Sequence, residues 1–353
     1  MSEPENLCLA FARSHIAGRS LGASVPPDVW AAMAEAGLFR IGLPLAHGGD
    51  GAPLSSIAAA ERALIAGGGS PGLGTVWAAH QMIPRHFLAG FATPAQQQAW
   101  LPRIAAGTST AAIAISEPRV GAHPKLLTTR AIKTAMGWRI DGEKSFLTNG
   151  PIADLFIVLA ITEETAGRKR YACLLVPDTT RGLTRIPAAD YPALHPAGHC
   201  GLRLDGVEVP AEALLGPEGE AYERMALPFR DAEDAVGTSG TAGTIAHMIH
   251  ALAAALPADA PTETAAPIGH LLGLSALLDY AAHQIAAGLD RGHTEQALMI
   301  GLRTLAAHIA TELRKLPPTP TLATGLAALE TGLTVARGPR MIRAARLAMD
   351  HRG

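Results

Sequence analysis

Between positions 27 and 106 apolar side chains recur three and four residues apart, as in Val29, Trp30, Met33 and Leu38 and again in Ile57, Ala60 and Leu64. That period matches one face of an α-helix, so the stretch is predicted to be helical. Its stops are local. Gly37 follows a helical run, Gly48-Gly49 and Gly67-Gly68-Gly69 read as turns, and Pro94 reads as a first helical residue behind Thr93 as N-cap. Beyond Thr110 the period changes. Residues 138–141, 155–161 and 171–176 are short, β-branched or aromatic, and bounded by Gly, Pro or Asp, so they are predicted as strands joined by tight turns. Helical spacing returns from Glu218 and is predicted to continue through 244–256, 268–289, 294–316 and 322–349. Within it, 257–267 is rich in Pro, Ala and Thr and is predicted to be a mobile loop with no helix of its own. The leucines at 271, 274, 277 and 278 give one apolar face that suits either a core or an interface.

The order helix, strand, helix predicts an α+β chain of several domains, and 353 residues exceed what one hydrophobic core usually holds. Boundaries are expected near 1–110, 111–216 and 217–353. With 48% apolar and 17% charged residues the composition is that of a folded protein. A formal charge of -2 and the lack of a dense Lys/Arg cluster argue against nucleic acid as a partner. Three cysteines, Cys8, Cys173 and Cys200, have no metal-ligand spacing and are too few and too scattered for a disulfide framework, which points to a reducing compartment. The first residues include Glu3, Glu5 and Arg13 and carry no apolar core of a signal peptide. Ala-rich runs such as 249–255 are far shorter than the roughly 20 residues a bilayer needs. No membrane association and a cytoplasmic location are the expectations.

Three motifs follow one another in the strand region: Ser116-Glu117-Pro118, the run Gly142-Glu143-Lys144-Ser145-Phe146-Leu147-Thr148-Asn149, and Val207-Glu208-Val209-Pro210. In this order they resemble the middle domain of the acyl-CoA dehydrogenase family. Residues 38–51, with Gly48-Gly49 and Gly51, and 93–107, with Leu101-Pro102 and Gly107, resemble the helical part that precedes it. The resemblance implies an N-terminal α-helical domain, a middle antiparallel β-barrel or sandwich and a C-terminal helical bundle. It also implies FAD held against an acyl-CoA or other acyl thioester, and assembly into homodimers or homotetramers.

On the family pattern, Ser116, Phe146 and Thr148 would touch the flavin: Ser116 keeps a hydroxyl, Phe146 an aromatic face, and Thr148 the hydroxyl expected near the redox edge. Taken without the resemblance, the first motif is a β turn and the second a good strand sequence. Ala122 and His123 stand where the family has Ser and Asp, and 193–199 lacks its Arg, Ser and Thr. His195 and His199 have no acidic or thiol partner at a supporting spacing and are expected on the surface, with no metal bound. The Arg loop that reaches the flavin pyrophosphate in the family is replaced by 257–267. Near the end, 341–346 resembles a family segment with Ala344 in place of Asp, and Gly332 and Gly338 stand where the family has an adjacent pair.

The base that removes the α-proton must be a carboxylate raised in pKa by desolvation. One family position for it would fall past Gly353. The other lies on the helix opening the C-terminal domain, where Asp231, Glu233 and Asp234 cluster, and Glu233 is the candidate; a solvated acidic helix face is the competing account. Three functions are compatible with these residues: an acyl thioester dehydrogenase, a catalytically silent homologue kept for binding or assembly, and a flavin monooxygenase on the same scaffold.

Overall fold

The computed structural model describes residues 1–334. Five helices come first: α1 (Glu3–His15), α2 (Pro27–Glu35), α3 (Leu54–Gly68), α4 (Pro71–Ile83) and α5 (Pro94–Ala105). The first of them lies ahead of the predicted helical stretch. It is started by a capping box, in which the Ser2 hydroxyl accepts from the Glu5 amide and the Glu5 carboxylate accepts from the Ser2 amide. Two of the three glycines that end α3 let the α1 segment come close. A Cβ on Gly67 would stand 2.9 Å from Leu9 and one on Gly68 would stand 2.8 Å from Ile16, while Gly69, at φ 71°, ends the helix in the left-handed region. Thr93 caps α5 with Pro94 at its first position, as its sequence predicts.

Eight strands follow: β1 (Ala111–Ala114), β2 (Arg130–Thr134), β3 (Gly137–Thr148), β4 (Leu155–Thr165), β5 (Arg168–Pro177), β6 (Leu183–Pro187), β7 (His199–Pro210) and β8 (Leu214–Leu215). They form one sheet in the order β6-β7-β3-β2-β4-β5-β8, with β1 alongside β4. The pairings are antiparallel except β1 with β4 and a single-residue contact of β2 with β4. In β4 the residues from Leu155 to Ile161 are all buried, and their parity divides them. Leu155, Ile157, Leu159 and Ile161 join the core shared with the N-terminal helices, whereas Phe156, Val158 and Ala160 fill the core on the other face of the sheet. A run apolar at every position thereby serves two cores.

The remaining helices are α6 (Leu227–Ala254), α7 (Thr262–Asp290), α8 (Gln296–Leu313) and α9 (Pro320–Thr334). The expectation of a helix-free loop over 257–267 is corrected: the loop closes by Pro261, and α7 carries Pro267 inside its second turn. Proline there forfeits one backbone hydrogen bond near the helix start, a small loss against the apolar face that α7 buries on α6 and α8. On that face Leu271 and Leu278 are buried, and Leu277 is 60% exposed. The part of 322–349 beyond Thr334, the segment 341–346 and Gly338 lie outside the described residues.

Side chains far apart in sequence tie the last helices to the first. Asp290 at the end of α7 accepts from the Leu54 and Ser55 amides at 2.8 and 3.0 Å, capping α3 with a carboxylate that suits its dipole. Arg62 on α3 pairs with Glu5 of α1 and with Asp279 of α7. In the N-terminal core Trp77 donates to the Leu38 carbonyl at 2.9 Å. Fully buried His80 touches Trp30 and Phe39 and donates from Nε2 to the Ile104 carbonyl at 3.0 Å.

Burial draws the pKa of His80 down to about 4, against the opposing effect of its bond to Ile104. An unfolded histidine titrates near 6.5, so between these values the unfolded chain takes up a proton that the folded chain refuses. Stability is therefore expected to fall as pH drops, by about 2 kcal/mol between about pH 7 and about pH 5 from this group. Urea unfolding at both pH values checks it, and in His80→Gln that share of the acid sensitivity should disappear.

Candidate active site

After β1 the chain enters a tight turn in which Glu117 and Gly121 exchange backbone hydrogen bonds at 3.0 Å each way. Beneath it lies a buried polar knot. The Glu117 carboxylate accepts from the Thr128 amide and hydroxyl, both at 2.7 Å, from the Thr129 amide at 2.9 Å, and from Lys144 Nζ at 3.0 Å. Lys144, on β3, also donates to the Ile115 carbonyl at 3.1 Å, and the next amide, Ser145, donates to the Ser116 carbonyl at 2.8 Å. The side chains of Lys144 and Glu117 are 0% and 3% exposed. Burial acts to raise the pKa of Glu117, but Lys144 and the threonine donors hold it well below the usual range. Burial likewise lowers Lys144, with the Glu117 charge pulling it back up. The pair fixes the Ser116 turn against the strand that carries Phe146 and Thr148.

Strand β3 bulges between Lys144 and Leu147, where its register against β7 shifts. Phe146 sits in the bulge at φ 64°, a conformation that a bulky residue adopts only when its surroundings impose it. The effect is to turn its ring outward: Phe146 is 42% exposed and stacks on His199 of β7, with ring centroids 4.5 Å apart and planes at 28°. Tyr191 meets the same ring edge-on at 5.4 Å. The expectation that His195 and His199 lie on the surface is therefore corrected, since both are half-buried. His199 props Phe146, and His195 contacts Asp190 at 2.7 Å. Among the described residues no cluster of three or more His, Cys, Asp or Glu side chains is placed to hold a metal.

Ser116, Phe146, Thr148 and Glu233 all line one cavity of about 480 Å³. Its walls are the end of β1, the β3 bulge, the Thr75, Ala79 and Met82 face of α4, and a long stripe of α6. On α6 the lining positions Phe229, Arg230, Glu233, Asp234, Gly237, Gly240, Thr241 and Thr244 repeat at three and four residues, so one helix face supplies them all. Glu233 lies at an exposed part of that face and Asp234 is half-buried beside it. Tyr222, just before α6, donates to the Ala122 carbonyl at 3.2 Å, and Asn149 at the end of β3 donates to the Val76 carbonyl of α4 at 3.0 Å. These bonds hold sheet and helices together around the opening.

Two groups on the cavity escape a motif-based reading. Arg303 of α8 lines it and also donates to the Gly332 and Leu333 carbonyls of α9 at 3.0 and 2.8 Å. Glu61 of α3 lines it too, only 3% exposed, and burial drives its pKa well above the usual range against a hydrogen bond from the Gly240 backbone. The signal for Glu61 is present in the pattern. It is an acid four residues after Ile57 and four before Ile65, on the face of α3 that is otherwise apolar.

Residues 8–108 match the model of the acyl-CoA dehydrogenase N-terminal domain, and residues 112–207 match that of the acyl-CoA dehydrogenase middle domain. The chain belongs to the acyl-CoA dehydrogenase family. Among curated relatives it is 35% identical to the L-prolyl-[peptidyl-carrier protein] dehydrogenase of Pseudomonas fluorescens over 197 residues, 55% of this chain and 51% of that protein. It is 31% identical to an acyl-CoA dehydrogenase of Bacillus subtilis over 192 residues, 54% of this chain and 50% of that one. The chain thus spans about half the length of these relatives. Fold likeness reaches further. The solved acyl-CoA dehydrogenase of Geobacillus kaustophilus superposes with a TM-score of 0.85 over 99% of this chain and 98% of that chain at 20% identity. The prolyl acyl carrier protein oxidase AnaB does so with a TM-score of 0.83 over 98% of both chains, also at 20% identity.

Removing one member of a buried ion pair strands the other. Lys144→Met is expected to lose about 3–5 kcal/mol of stability in urea unfolding. Adding Glu117→Gln to that variant should restore a large part of the loss, a coupling that a double-mutant cycle measures.

Proposed function

We propose that the chain is an FAD-dependent acyl thioester dehydrogenase, introducing a double bond between the α and β carbons of an acyl group carried on coenzyme A or on a carrier protein. The observation that supports this most is the shared cavity: four residues nominated from three separated motifs meet on it. Its volume is that of a small-molecule site. The curated relatives named for acyl-CoA and for a prolyl carrier protein make both carriers reasonable.

The wall formed by Ile113, Ile115, Ser116, Phe146 and Thr148 suits a flat heteroaromatic ring with polar edges, because apolar side chains alternate with hydroxyls along it. Bound FAD supplies the acceptor for the hydride that leaves the β-carbon. Ser116 and Thr148 would hold the polar edge of the ring, and Phe146, braced by His199, would support it. Glu233 takes the α-proton. An acyl group seated over it excludes water, and that desolvation makes the carboxylate a stronger base. Arg230 and Arg303 bring positive charge to the same cavity, where phosphate oxygens gain charge-assisted hydrogen bonds.

The division into 1–110, 111–216 and 217–353 belongs to this reading, as does assembly into a homodimer or homotetramer. Leu277 and Tyr280, 60% and 67% exposed on α7, provide an apolar strip for the latter. No helix among the described residues is long and apolar enough to cross a membrane. Three buried free thiols suit a reducing cytoplasm.

Protein purified without added cofactor, then incubated with FAD and gel-filtered, is expected to carry a flavin absorption spectrum. Glu233→Gln should keep that spectrum and lose about 10²–10⁴-fold in thioester dehydrogenation. No retained flavin at saturating FAD would favour the silent homologue. Retained flavin with unchanged turnover in the variant would remove Glu233 from the role of base, and flavin-dependent oxygen insertion without any dehydrogenation would favour the monooxygenase.

A further inference from the structure

Among the described residues that line the cavity, Glu61 is an acid both buried and short of a partner. Its Oε2 meets no hydrogen-bond donor among the described residues, and the residue is 3% exposed. The space for its carboxyl group is built by glycines on the facing helices: a Cβ on Gly240 of α6 would lie 2.9 Å from Oε1, and one on Gly74 of α4 would lie 3.5 Å from Cγ. Three hydroxyls on the α4 and α6 walls of the cavity are already committed as donors. Thr75 donates to the Pro71 carbonyl at 3.1 Å, Thr241 to Gly237 at 3.0 Å and Thr244 to Gly240 at 2.9 Å, each back into its own helix. An unpartnered buried carboxyl oxygen, an acceptor when ionised and a donor as well as an acceptor when protonated, is satisfied only by what enters the cavity, water or ligand.

We infer that Glu61 sets substrate specificity, and that the acyl group accepted here carries a hydrogen-bond donor, a hydroxyl or an ammonium, where it meets α3. This rests on the thioester reading above. An alkyl chain seated there would leave Oε2 unpaired and drive out any water that served it, whereas a donor at the same carbon would take over the bond. The protonation state that burial favours suits a hydroxyl, which can both donate and accept. An ammonium would instead hold the carboxylate ionised as a buried pair.

The test is binding of short-chain acyl-pantetheine thioesters of equal length that carry a methyl, hydroxyl or amino group at successive carbons, measured by calorimetry on the flavin-loaded protein. At one position the wild type should bind the hydroxyl or amino compound at least about tenfold more tightly than the methyl compound. Glu61→Leu should abolish or invert that preference. If the leucine variant fails to fold, Glu61→Gln serves: it should lose a preference for ammonium and weaken one for hydroxyl. Preference for hydroxyl over ammonium would assign a neutral polar acyl group, and the reverse would assign an aminoacyl thioester. A wild type that favours methyl at every position, or a preference left intact in the folded variants, overturns the inference alone. If no thioester binds while flavin is retained, the inference falls together with the thioester reading.

Discussion

The ion pair of Lys144 and Glu117 is the constraint on which the site's geometry rests. Taking both charges out of water is costly, and it is offset here because each finds several partners: Glu117 four donors, Lys144 two acceptors. Those partners come from the Ile115 end of β1, from Thr128 and Thr129 ahead of β2, and from β3. One small knot thereby fixes three segments relative to one another, and the Ser116 turn and the Phe146 bulge follow from it. The bulge then stands on His199, so the positive φ of Phe146 is upheld by the contacts of its ring with His199 and Tyr191.

Small residues on α6 do for the helices what the ion pair does for the sheet. A Cβ on Gly243 would stand 2.7 Å from the Arg62 carbonyl, so α6 and α3 run against each other with little between their backbones. One turn earlier Gly240 faces Glu61 and lets a carboxyl group occupy the seam. Close packing along one part of the helix pair and an opening along another define the cavity. Its polar content follows from the few side chains that a seam of this width admits.

Family models match 8–108 and 112–207, while likeness of fold extends over almost the whole chain. A helical bundle asks for apolar residues at the right period and of roughly the right volume, which many sequences supply. The turn at Ser116 and the strand at Phe146 ask for particular residues at particular places. The motifs therefore survive in the sheet region, whereas α6 to α9 keep the shape with other side chains.

The linear sequence determined the order of helices and strands, the glycine stop of α3 and the N-cap of α5, the buried run of β4 and the motifs that put Ser116, Phe146, Thr148 and Glu233 forward together. Each of these depends on a local period or on a short pattern of turn residues, so it is written along the chain. It left α1 unannounced although the Ser2 and Glu5 capping box is visible, and it took 257–267 for loop because Pro267 masks a helix that packing on α6 and α8 upholds. The seam around Glu61, the prop of His199 under Phe146 and the approach of Arg303 join residues from separate elements of the fold. Only the tertiary structure decided those, because burial and partnership are properties of the surroundings that folding assembles and no single stretch of sequence contains them.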